Sequence, residues 1–202
     1  MKIQFAIFLF LFSSLISLAQ ITTTPQLPKV SQAVTIRFNS SEETMLNSFS
    51  GDLYAHTGVL VHGKTAWQHE IGTWGNNTLQ PKLTNLGGGI YELQIAPSVQ
   101  EYYNVASNER ILKMAFVFRS ADGTKQTNDL LVDVYPDGLV ATVTAPANGS
   151  IVALATTVNV KAQASATAQL TLKVNDNVVK TSSGTSIEAE TSFTQAGENT
   201  IV

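Results

Sequence analysis

The chain has 202 residues and no cysteine, with 12 Lys and Arg against 15 Asp and Glu. That length excludes a complete (β/α)8 barrel, which takes about 250 residues, and the missing thiols exclude disulfides, thiolate metal sites, a cysteine nucleophile and lipid attachment through an N-terminal cysteine. The mild acidity argues against a nucleic-acid surface, for which a basic patch is expected, while 44% hydrophobic and 13% charged residues describe a globular chain with few charges.

The first 19 residues hold 14 apolar side chains and one charge, Lys2. Lys2, the apolar run Phe5–Phe12 and the small-x-small triplet Ser17-Leu18-Ala19 form the three parts of an export signal, cleaved before Gln20. Ser13 and Ser14 interrupt the run, which is shorter than the about 20 residues of a membrane span. The reading is a bacterial protein that is secreted or held at the cell surface, with no membrane contact after cleavage. The mature chain then carries 11 Lys and Arg against 15 Asp and Glu, a net charge of −4.

Short strands separated by turn residues follow. Val34, Ile36 and Phe38 alternate with polar positions in Ala33–Phe38. In Leu53–Val61 the odd positions form one side, and Asp52, Tyr54, His56 and Gly58 the other. His62-Gly63-Lys64 reads as a turn into a strand over Ala66–Ile71, and Gly87-Gly88-Gly89 precedes a strand over Ile90–Ile95. Ser98, with Glu101 three residues on, caps one or two helical turns. Arg110–Ser120 and Asn128–Tyr135 flank Ala121-Asp122-Gly123-Thr124 as a hairpin.

Composition shifts after Tyr135-Pro136-Asp137-Gly138. Of the 12 aromatics beyond the leader, only Phe193 lies past Tyr135. The tail is rich in Ala, Thr, Val and Ser, with alternating runs Thr157–Ala162 and Leu170–Val174, and with turns at Asn175-Asp176-Asn177 and Ala196-Gly197-Glu198-Asn199. The expected fold is all-β: residues 1–19 as signal peptide, 20–136 as an aromatic-rich β-sandwich, and 137–202 as a plainer sandwich of immunoglobulin type. About 65 residues are few for such a domain of about 100, and Thr200-Ile201-Val202 has the character of a strand. The expectation is therefore an incomplete second domain from a longer protein.

No P-loop, Rossmann glycine pattern, HExxH or GxSxG element is present. His56, His62 and His69 lie within 14 residues. A metal site and a polar strand face plus a turn both account for them, and the second reading is preferred. Asp52 and Glu70 are the carboxylates that neighbouring strands could bring together for glycoside hydrolysis, which needs two of them about 5–10 Å apart. No cofactor is expected. Asp122, Asp129 and Asp133 are the side chains on which a calcium ion would draw, and a turn and solvated strand ends explain them as well.

Tyr54 and His56 share a strand face opposite Leu53, Ala55 and Val59. Trp67 follows after the turn. Trp74 stands between glycines in Gly72-Thr73-Trp74-Gly75-Asn76-Asn77, where local burial partners are few. Tyr91, Phe116 and Phe118 lie in apolar strands and read as core. Flat rings beside Asn, Gln and His suit sugars, because pyranose C–H faces are apolar and hydroxyls need amide or imidazole partners. A ring removing about 100 Å2 of apolar surface contributes about 2.5 kcal/mol. Two or three rings barely exceed the cost of association, so micromolar to millimolar affinity is expected.

The stretches Tyr54-Ala55-His56-Thr57-Gly58, Trp67, Ile71–Asn77, Gln80-Pro81-Lys82-Leu83-Thr84, Tyr91-Glu92-Leu93 and Met114–Gly123 resemble the N-terminal module of secreted bacterial α-amylase-family glycoside hydrolases. The resemblance covers residues 21–135. The Tyr-x-His…Trp order is also similar to starch-binding modules of carbohydrate-binding families 25 and 26. That resemblance implies Tyr54, His56 and Trp67 as residues that hold an α-glucan; the loop context adds Trp74 and Asn76. It further implies an Ig-like domain over 139–202 ahead of a catalytic barrel, and the barrel's carboxylates have no counterpart in these 202 residues. The expected partners are an α-glucan and that C-terminal catalytic domain, not nucleic acid. The competing readings are a structural or adhesive β-sandwich, which requires Trp67 and Trp74 to be buried, and a small hydrolase using Asp52, Glu70 and a histidine.

Overall fold

Alternation decides which way each strand faces. The computed structural model describes residues 20–194 and 196–202; the signal-peptide reading of residues 1–19 lies outside them. β1 (Ile21–Thr24), β2 (Val34–Asn39), β4 (Thr84–Gly87) and β5 (Ile90–Ile95) form an antiparallel sheet of order β1-β2-β5-β4. β3 (Leu53–Val61), β6 (Ile111–Ser120) and β7 (Leu130–Asp133) form a second, of order β3-β6-β7. A short helix, α1 (Val99–Tyr102), follows β5. Val34, Ile36 and Phe38 from β2 and Leu53, Ala55 and Val59 from β3 all lie in one buried cluster with Tyr91, Phe116 and Phe118. This is the expected sandwich-like arrangement, with one face of each sheet turned inward.

Several local expectations hold. The Ser98 hydroxyl accepts from the Glu101 N–H at 3.1 Å at the start of α1. β6 and β7 pair from Lys113↔Asp133 to Phe116↔Leu130 around the 121–124 turn. The Ala66–Ile71 segment departs from expectation. Its ladder to β3 is a single bridge, Val59↔Gln68. His69 has φ 52°, which turns the chain out of extended pairing.

A polar pair sits inside the core. Thr57 is fully buried and its hydroxyl donates to the Ala115 carbonyl at 2.8 Å, so the Tyr103 hydroxyl, 2.6 Å away, donates to Thr57. Removing the donor or the acceptor has unequal consequences. Tyr103→Phe strips an acceptor of a partner, at about 1 kcal/mol. Thr57→Val leaves a buried hydroxyl without an acceptor, and is expected to cost about 2–3 kcal/mol. Urea unfolding of both variants and the double variant checks this; the double variant should be no worse than Thr57→Val alone.

The C-terminal residues form a third sheet, of order β10-β9-β8, from β8 (Ala141–Ala145), β9 (Thr157–Val174) and β10 (Asn177–Ser192). Asn175 and Asp176 both have positive φ, the geometry of a two-residue hairpin turn. The two alternating runs expected here join into one 18-residue strand, because nothing between them breaks it. Yet Val158, Val160, Leu172 and Val174 belong to one buried cluster with Ile187 and Phe193. Val160 and Leu172 would be about 40 Å apart on a straight strand. The hairpin must therefore bend back on itself. The register supplies the corner, jumping from Gly184↔Ala168 to Ser186↔Gln163.

Candidate functional site

β3 is the outermost strand of its sheet, and a second segment covers its edge. Gln68 and Val59 exchange backbone bonds of 2.8 and 2.9 Å, and the Ile71 N–H reaches the Thr57 carbonyl at 2.9 Å. Further along, the Ala55 N–H reaches Pro81 and the Leu83 N–H reaches Leu53, both at 2.8 Å. These two legs meet β3 on either side of His56, so residues 72–80 leave the sheet edge opposite its ring. The close approach depends on Gly58, where a Cβ would lie 2.8 Å from the Gln68 carbonyl oxygen.

Three of the five expected residues come together there. The His56 imidazole stacks on Trp67 with centroids 5.4 Å apart at 19°, and meets Trp74 edge-on at 4.9 Å and 84°. Trp67 is part-buried, while Trp74 is 51% exposed. Tyr54 is placed differently. It pairs with Arg119 across β3 and β6, and the guanidinium carbon lies 5.5 Å from its ring centroid. Asn76 shapes the loop: its side-chain oxygen accepts from the N–H groups of Thr78 at 2.9 Å and Leu79 at 3.2 Å.

Other side chains join the site without having been singled out for it. Arg119 is fully buried, although it lies on the face of β6 opposite the core. Its Nε and Nη2 donate to Gln80 Oε1 at 2.8 and 2.5 Å, Nη2 also to Asn77 Oδ1 at 2.7 Å, and Nη1 to the Ser120 carbonyl at 3.0 Å. Burial pulls its pKa down, opposed by the neighbouring Tyr54; a guanidinium stays charged regardless. Gln80 Nε2 lies 3.0 Å from His56 Nδ1, and Glu70 Oε2 lies 3.2 Å from His56 Nε2. A lone charge near the end of the apolar run Met114–Phe118 was the available sequence signal for Arg119.

The remaining candidates separate. His69 pairs with Glu109 at 3.0 Å, and Asp52 with Lys82 at 2.8 Å. The Asp52 hydrogen bond raises the Lys82 pKa. His62 lies in the exposed turn after β3. Among the described residues no group of three His, Cys, Asp or Glu could hold a metal ion. Asp133 pairs with Lys113. A cavity of about 620 Å3 lies elsewhere, against Pro146, Ile151, Leu154, Phe193 and Ile201; among the described residues on its walls, Glu198 alone is charged.

Asp122 secures the turn beside the loop. Its carboxylate accepts from the Ser120 hydroxyl at 2.5 Å and from the Thr124 N–H and hydroxyl at 3.1 and 2.9 Å. These bonds, that from Ser120 foremost, lower its pKa from 3.8 to about 2. The folded value is the depressed one. Its stabilisation is thus complete above about pH 4 and is lost as pH falls through about 2. Asp122→Asn should therefore lower the urea midpoint at pH 6 and match wild type near pH 2; a gap constant with pH would contradict the assignment. The neighbouring Ala121 carbonyl accepts from Asn77 Nδ2 at 2.9 Å, tying turn and loop together.

No helix among the described residues is long and apolar enough to cross a membrane. Comparison with protein-family models and with curated proteins yields no match.

Proposed function

We propose that residues 21–135 form a non-catalytic α-glucan-binding module of an exported α-amylase-like glycoside hydrolase. The observation that carries this reading is the half-exposed Trp74 indole, set edge-on against a His56 ring that also stacks on Trp67. Such rings offer a pyranose an apolar surface, and the amides and carboxylate around them offer hydroxyl partners. Trp74 at 51% exposure weighs against the purely structural alternative, which needs both tryptophans buried. Asp52 and Glu70, bound to Lys82 and His56, lend no support to a hydrolytic pair.

Affinity electrophoresis through amylopectin tests the reading. Wild type should be retarded, and Trp74→Ala should weaken binding about 10- to 50-fold, the equivalent of losing about 1.4–2.3 kcal/mol. Unretarded migration of the wild-type chain would sink the proposal.

A further inference from the structure

Arg119 is buried among neutral acceptors. Among the described residues, none of the ion pairs includes it. Burying a cation without a counter-charge is costly, and here its donors organise what surrounds it. A guanidinium only donates. It therefore turns the side-chain oxygens of both Gln80 and Asn77 inward. With its oxygen so engaged, Gln80 can offer His56 only its NH2 group. His56 Nδ1 must then accept at 3.0 Å. The ring proton is left on Nε2, and that nitrogen lies 3.2 Å from Glu70 Oε2.

From this chain of bonds we infer that Arg119 and Gln80 are positioning residues that lock His56 as its Nε2–H tautomer, so that the acceptor the site offers to a sugar hydroxyl is the Glu70 carboxylate and not the imidazole. Gln80 occupies Nδ1 and Nε2 carries the proton, so the ring has no acceptor left, while the Glu70 side chain is 45% exposed and has a second oxygen turned from His56 Nε2. A carboxylate accepts hydroxyl protons more strongly than a neutral nitrogen does. The role of Glu70 toward a ligand rests on the glucan reading above; the tautomer does not.

Long-range 15N–1H NMR at neutral pH identifies which imidazole nitrogen carries the proton, with His56→Phe used to assign the signal. Wild type should show His56 protonated at Nε2 only. Gln80→Glu should stay folded, because it supplies Arg119 with a carboxylate. An acceptor then faces Nδ1, which should gain a proton. A wild-type Nδ1–H tautomer, or an unchanged pattern in folded Gln80→Glu, overturns the lock.

Calorimetric titration with maltoheptaose tests Glu70. Glu70→Gln keeps an oxygen for His56 Nε2–H, so the tautomer should persist while binding weakens about tenfold. Equal affinity overturns the ligand role of Glu70. Absence of wild-type binding overturns that role together with the glucan reading, and the NMR result still decides the lock.

Discussion

Phe118→Ala is expected to lower the free energy of unfolding by about 4 kcal/mol. The ring is fully buried. It packs on Phe38 of the opposite sheet with centroids 4.8 Å apart at 49°, and on Phe116 of its own strand at 5.6 Å and 29°. Truncation removes the transfer free energy of the ring and leaves a cavity between the two sheets. Neither sheet can close that cavity without disturbing the register of β2 with β5 or of β3 with β6. A domain of this size has about 5–15 kcal/mol in total, so the loss takes a large fraction of it. Urea titration should show the midpoint falling with little change of slope. A loss under about 1 kcal/mol would mean that the ring is not part of the contact between the sheets.

Gly72→Val is expected to disable the site at smaller cost to the fold. Gly72 has φ +72°, and a Cβ there would lie 2.9 Å from both the carbonyl carbon and the Cβ of Leu79. Gly72 and Leu79 form the neck of the loop that carries Trp74. A β-branched residue meets two penalties there: about 1–2 kcal/mol for the left-handed conformation, and about 1–3 kcal/mol for the forced contact. Both are relieved if the neck opens. Opening draws Trp74 away from His56 and shifts Gln80, the shared partner of His56 and Arg119. Acrylamide quenching of tryptophan fluorescence should rise and retention in amylopectin should fall. Gly75→Ala is the matched comparison. Gly75 has φ +77° but nothing within 4 Å of its added Cβ. It should pay the conformational penalty alone and keep the site. Equal loss in both variants would show that the neck contact is irrelevant.

The elements that could be read from the chain are those written in local pattern. The buried and outward faces of β2 and β3 follow from residues two apart. The cap at Ser98 needs only Glu101 nearby, and the turn at Asn175-Asp176 needs only residues that tolerate positive φ. Ala66–Ile71 has the composition of a strand, yet His69 turns the chain out of extended pairing with its positive φ and pairs with Glu109. The bend of β9 was hidden for a related reason. Its register jump arises from how two long strands bury both their ends in one cluster, and no residue within Gln163–Gln169 marks a break.

The candidate site divides the same way. By itself the sequence determined that Tyr54 and His56 share an outward face, and that Trp74 sits in a loop with little to bury it. Both follow from strand periodicity and from flanking glycines, which act over a few residues. Only the tertiary structure decided that Trp67 and Trp74 meet at His56, that Tyr54 faces Arg119, that Asn76 serves the turn, and that Gln80 links a buried cation to the imidazole. Those contacts join positions as far apart in the chain as Tyr54 and Arg119. Hydrogen bonds and ring contacts are set by distance and direction in space, and single-chain periodicity carries information about neither once the chain has turned.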